Sequence, residues 1–444
     1  MSGSEPTTLP NESRRFWRIA GAGAAFQGGA AAVDSATVVA SLVFHLTGSA
    51  FAVGFASAIL RLGWLLPQLL VGYLAERAER RMPFYVFGAY GRATCLAFIA
   101  ILLWWGSDWP QFDWPPVPLA VGFLALWTVY AFVSGVVAVP YNDIVGRSIR
   151  SEARSRMLAW RFFGGGLIAF AVAGFVGLTI DALPLLLAHA VIFALAALLM
   201  ILSSTFFVAA GEPPVPARKA GTATPPGITA FLRGGWQVLQ DDTRFRLFLY
   251  SQWLGGATLM ALPFYVVAAA GNGIGAADVG ILLGAQTAGA LLSNPLWGWL
   301  GDGAGKLAML RMVAIVRMVP PFIAIWLIWA GAGLIGFALL FVLIGAMMNG
   351  VTIGYLGYLM EISPDDRRPA YSAYFNALAA PAALLPLLGA GFVALISIQA
   401  VFGAAILAAL WQIYLLTRFY DGPPHHLPAV RVLGPFLVHL RHVQ

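Results

Sequence analysis

An all-α integral membrane protein is predicted by this sequence: 12 transmembrane helices arranged as two pseudo-symmetric six-helix bundles, with both termini cytoplasmic. Three observations predict it. Apolar runs of about 20 residues, the length that crosses roughly 30 Å of hydrocarbon as a helix, recur along the whole chain. The cations gather on one side of the thread these runs define. A polar, Pro-rich stretch cuts the chain at its middle.

In the first half the runs fall near residues 18–44, 51–74, 83–105, 117–140, 158–180 and 182–206. In the second half they fall near 246–270, 278–300, 308–330, 334–358, 372–396 and 398–418. Of the 26 Lys and Arg residues, Arg61, Arg92 and Arg317 lie deep within runs, and the other 23 fall in loops, tails or at run ends on one side once the amino terminus is placed inside. The outer loops, near 45–50, 106–116, 181, 271–277, 331–333 and 397, carry no positive charge. Cationic loops resist translocation, so this bias sets the orientation.

The chain is 60% hydrophobic and 10% charged, with a mean hydropathy of +0.81, which excludes an ordinary soluble fold. The net charge of +7 is divided among short loops at run ends and forms no single face, so it marks topology and anionic headgroups and not a nucleic acid. Cys95, the sole cysteine, sits inside a run and leaves no internal disulfide. The Ser13-Arg14-Arg15-Phe16 start is followed by eleven further runs, so it reads as an uncleaved first helix and not an export signal. A cell membrane, the inner one of a bacterium, is the expected location.

The seam is rich in Pro and small polar residues, as in Glu212-Pro213-Pro214-Val215-Pro216 and Thr222-Ala223-Thr224-Pro225-Pro226. It divides the chain into a bundle at 1–206, a cytoplasmic linker at 207–244, a second bundle at 245–420 and a tail at 421–444. Within the linker, Ile228, Phe231, Leu232, Trp236 and Leu239 recur at helical spacing, the pattern of a helix lying in the headgroup layer.

The halves echo each other. Gly72-Tyr73-Leu74-Ala75-Glu76 after the second run matches Gly298-Trp299-Leu300-Gly301-Asp302 after the eighth. An arginine follows in each next run, Arg92 and Arg317, and the fourth and tenth runs each end at an acid, Asp143 and Glu361. Glu152-Ala153-Arg154 then matches Asp365-Asp366-Arg367. Duplicated bundles with a mobile interface are a recurrent plan for secondary transporters.

On these residues the chain resembles the major facilitator superfamily, whose inner-loop signature is Gly-x-x-x-Asp-Arg-x-Gly-Arg-Arg. The first copy keeps Gly72, Arg77, Arg80 and Arg81 but has Glu76 and Glu79 where the family has Asp and Gly. The second keeps Gly298, Asp302, Gly305 and Lys306 and lacks the early Arg. The start of the second run, Leu46 to Gly54, is similar to the branch holding siderophore and drug exporters. The resemblance implies that the loop acids bridge to the helix that starts the eleventh or fifth span, and that Arg77 pairs with Asp143. Glu76, Arg77, Arg80, Arg81, Asp143, Arg154, Asp302, Lys306, Glu361 and Arg367 would then form a cytoplasmic gate, with Gly72 and Gly298 letting span ends approach closely.

Asp34 is the one acid of 19 that lies within a run, and an ionisable group there marks a functional site. Arg61 lies at similar depth on the next run, so the two are expected to form an ion pair that either couples proton exchange to movement or clamps two helices. The resemblance places the first, fourth, seventh and tenth helices around a cavity, which makes Gln27, Asn142, Gln252 and Asn349 candidate solute contacts, with Gln286, Asn294 and Asn376 as further inward-facing groups. Arg92 and Arg317 are expected to be structural, each within reach of a loop acid, and His189 to be satisfied locally. The tail histidines His425, His426, His439 and His442 have no carboxylate or thiolate to complete a metal site, and no cofactor is implied.

The expected function is secondary active transport of a small organic solute by alternating access, by a monomer, with proton coupling and export. No phosphate-binding Gly-x-x-x-x-Gly-Lys-Ser/Thr loop occurs to hydrolyse a nucleotide. The alternatives are uptake of an organic anion, a polytopic enzyme, or a sensor that has lost transport. The outer-loop acids Asp108, Asp113, Asp181 and Asp278 are too scattered to favour an enzyme.

Overall fold

The computed structural model describes residues 12–75, 78–107, 117–149, 151–213, 227–303, 306–362 and 368–418. Among them no strand occurs, and eleven helical segments are long and apolar enough to cross a membrane. The expected first span is not one of the eleven, because it is broken. Helix α1 (Glu12–Ala32) stops, five residues turn, and the ten-residue α2 (Val38–Thr47) resumes. The cause is Asp34. Its Oδ1 accepts from the backbone N–H groups of Ala36 at 3.0 Å and Thr37 at 2.9 Å and from the Thr37 hydroxyl at 2.8 Å. A short carboxylate that captures N–H groups two and three residues on competes with the helix ladder and starts a new helix.

The rest of the first half is α3 (Ala50–Ala75), α4 (Met82–Ser107), α5 (Val117–Gly135) continuing as α6 (Ala138–Ser148), α7 (Ser151–Ala182) and α8 (Leu185–Ala210). After the linker, α9 (Ile228–Asp241) leads into α10 (Thr243–Leu259), which bends into α11 (Leu262–Gly271). Then come α12 (Val279–Leu292) with α13 (Asn294–Gly303), α14 (Lys306–Trp329) and α15 (Leu334–Ile362). A last broken span, α16 (Arg368–Ala379), a short 3-10 turn and α17 (Leu385–Leu395), precedes α18 (Ile398–Thr417).

Large apolar side chains such as Phe87, Phe98, Trp104, Leu178, Trp326 and Leu407 point outward. In water such a surface would drive aggregation, whereas in lipid it is the solvated face. The chain is therefore a multi-pass membrane protein.

The apolar interior divides unequally. On the face that carries the start of α1 and the end of α18, called here the terminal face, each bundle keeps its own core. Phe16, Ile19, Tyr85, Ile144 and Phe207 form one, and Phe245, Phe248, Trp297, Leu310 and Tyr358 form the other. Toward the opposite face a single core runs through both bundles and joins Val39, Leu96, Trp127 and Phe193 to Phe264, Leu282, Phe341 and Phe402. Small residues make the closest crossings in this seal. A Cβ added to Gly54 would lie 2.6 Å from the Pro386 carbonyl oxygen and 2.9 Å from the Ala390 Cβ, and one added to Gly280 would overlap the Gly177 Cα. The bundles thus meet at one end and part at the other.

Each end of the linker is fastened to its own bundle. Glu212 Oε1 accepts from the Arg81 N–H at 2.8 Å and Oε2 from the Met82 N–H at 3.0 Å, so this carboxylate caps the start of α4. Arg147 donates to Glu212 Oε1 at 2.9 Å. At the other end Asp242 caps α10 through the Phe245 N–H at 3.0 Å and accepts from the Tyr371 hydroxyl at 3.0 Å. The glycines Gly234 and Gly235 let α9 lie against Tyr374 of α16.

Candidate functional site

Where the shared core ends, between the bundles, lies a cavity of about 490 Å³, within the size range of small-molecule sites. Helical spacing presents one face of each contributing element. From α3 come Leu60, Arg61, Trp64 and Leu65, from α5 Tyr130 and Ser134, and from α10 Gln252, Gly256 and Leu259. Phe26 and Ala30 of α1, Asp34 at the helix break, and Phe375, Asn376 and Ala379 of α16 complete the wall.

Asp34 and Arg61 therefore share one cavity, but no ion pair joins them: none of the salt bridges among the described residues includes either. The Asp34 carboxylate is taken up by Ala36 and Thr37, and Gln286 of the second bundle also interacts with it. The Arg61 guanidinium has no hydrogen-bond acceptor among the described residues and faces the cavity.

Of the four neutral residues expected at the cavity, Gln252 lines it, with its Oε1 lacking a partner. Gln27 instead lies against Gly165 of α7, in a slot that a Cβ would fill. Asn349 is spent on helix packing, since its Nδ2 donates to the Ala290 carbonyl at 3.1 Å and to Asn294 Oδ1 at 2.8 Å. Asn142 is exposed at the terminal-face end of α6. Asn376 does line the cavity. Phe26, Trp64, Tyr130, Ser134 and Phe375 were missed by sequence reasoning, although the i, i+3 and i, i+4 spacing of Arg61 with Trp64 and Leu65, and the i, i+4 spacing of Tyr130 with Ser134, puts each set on one helix face.

Arg92 and Arg317 do not themselves line the cavity. Arg317 is 1% exposed and donates to the Tyr355 hydroxyl at 3.0 Å and to Gln412 Oε1 at 3.2 Å. Gln412 Nε2 in turn donates to the Ser251 carbonyl at 2.9 Å. Gly255 makes the room, since a Cβ there would overlap the guanidinium and approach the Tyr355 hydroxyl to 2.8 Å. Arg92 is buried over the Phe26 ring, 4.6 Å from its centroid. Among the described residues neutral acceptors and ring faces hold these charges, and the loop acids Glu76, Asp302 and Glu361 lie outside the described side chains. His189 is half satisfied, with Nδ1 2.8 Å from the Leu185 carbonyl and Nε2 unpartnered.

Of the expected gate, Glu76, Arg77 and Arg367 lie outside the described residues, as do the side chains of Arg154, Asp302, Lys306 and Glu361. Gly298 lies within α13, and Arg80 is exposed. Asp143 pairs with Arg147 at 2.6 Å and lies 3.7 Å from Arg81, both in its own bundle. A Cβ on Gly72 would meet no described atom within 4 Å, so this glycine is not at a close crossing here, because the bundles are apart at that level. Glu212 is the residue the motif did not reveal. Burial alone would raise its pKa, but the N–H groups of Arg81 and Met82 and the charge of Arg147 outweigh it and hold the carboxyl below its usual value.

No family model matches this chain, and no curated protein does. Solved structures do. A mutant of the nucleoside transporter NupG aligns with a TM-score of 0.66 at 13% identity over 91% of this chain and 98% of that one. The POT family transporter PepTSo gives 0.66 at 13% identity over 91% and 98%. A POT family transporter in complex with 5-aminolevulinic acid gives 0.63 at 11% identity over 92% and 95%. These are nucleoside and peptide transporters, so the likeness of the second span's start to siderophore and drug exporters finds no support in them. Identities this low speak to architecture alone, and that architecture is unambiguous: the chain has the fold of the major facilitator transporters.

Proposed function

We propose that this protein is a secondary active transporter that moves a small organic solute by alternating access. One observation carries the reading: a cavity of about 490 Å³ lies between two bundles that share a core on one side of it and have separate cores on the other. A binding site at the interface of two such bodies is exposed to one compartment at a time if they rock about it. Twelve crossings with both termini in the cytoplasm, as the cation bias indicates, make the terminal face cytoplasmic and this conformation inward-facing. The transport is gradient-driven and not enzymatic, the working unit is a monomer, and the location is the inner membrane of a bacterium.

Protons are the coupling ion in this reading, with export as the direction, and Asp34 is the carrier. It is the ionisable group at the helix break, and its bonds to Ala36 and Thr37 tie its charge to the geometry of the first span. In the opposite conformation it would pair with Arg61, across the cavity both line. The gate residues of both inner loops would close the cytoplasmic side in that state. The test is solute flux in vesicles with and without a pH gradient: Asp34→Asn should abolish gradient-driven accumulation and keep exchange. Accumulation equal to that of the native protein removes proton coupling through Asp34.

A further inference from the structure

Taking the central cavity as the solute site, as proposed above, we infer that its solute is a small organic monoanion with an apolar or aromatic body, whose acidic group is bound by Arg61. Of the three span arginines only Arg61 reaches the cavity. Arg317 is consumed by Tyr355 and Gln412, and Arg92 packs on the Phe26 ring without lining the cavity. A guanidinium has five N–H donors and loses stability wherever it leaves water without acceptors. Arg61 has none among the described residues, so its fork is free for a carboxylate or a singly charged phosphoester, which can accept two parallel N–H bonds.

The surroundings set the charge and the body. Arg92 packs on the ring of the wall residue Phe26, so a second cation lies one side chain from the cavity. The one acid on the wall, Asp34, already accepts three hydrogen bonds through Oδ1 and is poorly placed to receive a cationic solute. A single exposed guanidinium matches one negative charge, and a second would be left uncompensated. Phe26, Trp64, Tyr130 and Phe375 give the cavity an aromatic lining for the remainder of the solute, and Gln252 and Asn376 supply neutral polar groups from the second bundle. A solute bound this way touches both bundles, as one that couples their movement must.

The test is calorimetric binding of benzoate, benzamide and benzylammonium, three probes of one shape and different charge, to the purified full chain. Benzoate is expected to bind at least about tenfold more tightly than the other two. Arg61→Gln should remove that preference and Arg61→Lys should keep part of it. The inference is overturned if benzoate does not bind, if the three probes bind alike, or if Arg61→Gln leaves the preference intact. The preference of the native protein decides the matter even where a variant does not fold. Opening of the opposite-face seal, followed by the distance between spin labels at the exposed positions Phe51 and Leu395 that flank the Gly54–Ala390 crossing, reports separately on the transporter reading. A protein that opens but ignores probe charge refutes the anion site alone, and one that binds benzoate but never opens refutes alternating access alone.

Discussion

Replacing Gly255 by alanine tests whether Arg317 is part of the framework or part of the site. The new Cβ would overlap Arg317 Nη1 and come within 2.8 Å of the Tyr355 hydroxyl, and Nη1 is the atom that donates to both Tyr355 and Gln412. The guanidinium cannot swing into water, because it is 1% exposed. Overpacking of this kind costs about 1–3 kcal/mol, and each lost hydrogen bond from a charged donor about 1.5–3 kcal/mol. These are one event and do not add. Alanine recovers about 1 kcal/mol of helix propensity, so the net expected loss is about 0.5–2 kcal/mol. The same change in an Arg317→Met background should cost under about 1 kcal/mol, because an unbranched thioether moves aside. A double-mutant cycle read by equilibrium unfolding of the purified protein measures the coupling. If Gly255→Ala costs the same in both backgrounds, the close approach of α10 to Arg317 does not exist and the framework role fails with it.

Three further outcomes follow from named contacts. Glu212→Ala should destabilise the first bundle by about 1–3 kcal/mol at neutral pH. Because the folded carboxyl titrates below its usual value, its contribution is complete above the unfolded pKa of about 4.3 and lost as pH falls through the lower folded one, so the variant should show a shallower acid-side drop in melting temperature; an unchanged profile contradicts the cap on α4. Gly280→Ala should wedge α12 from α7 and shift the conformers toward the open seal by about 1–3 kcal/mol, which spin-label distances would show as a change in populations. Asn349→Ala should lower stability by about 1 kcal/mol, through loss of the bonds to Ala290 and Asn294, and leave solute affinity unchanged; a tenfold loss of affinity, about 1.4 kcal/mol, would place Asn349 in the site after all.

Hydropathy makes span length legible because the bilayer imposes one length on every crossing. It hides what happens inside a span. The break at Asp34 sits in an otherwise apolar run, and only the Asp34-to-Thr37 spacing, a capping pattern, carried the signal. Gln27 and Asn349 show the matching limit. Each is a polar residue on a helix that the resemblance places at the cavity, but the direction it faces is decided by partners far away in sequence, Gly165 for one and Ala290 and Asn294 for the other. Gln252 and Asn376 differ from them in nothing visible along the chain, yet they line the cavity. Glu212 looked like linker composition, and its role depends on the return of α8 to the start of α4.

The unequal division of the core has an energetic consequence for movement between states. The opposite-face seal is built from small-residue crossings, Gly54 with Pro386 and Ala390 and Gly177 with Gly280, and none of the described ion pairs lies in it. Parting it breaks no charged contact and exposes apolar surface at about 25 cal/mol per Å², a smooth cost that water or solute can offset in part. The terminal face carries the cations, and the described pairs there, Asp143 with Arg81 and Arg147 and Arg147 with Glu212, stay within one bundle. They can ride through the rocking motion intact, and they brace the ends of α4 and α6 against the linker. Among the described residues Arg61 in the cavity is a cation without a fixed partner, so it and the proposed gate residues are the candidates for a bond that forms or breaks across the bundles. In the proposed transport cycle that would place control of the equilibrium at the cavity, since a ligand drives a conformational change only by interacting differently with the two states.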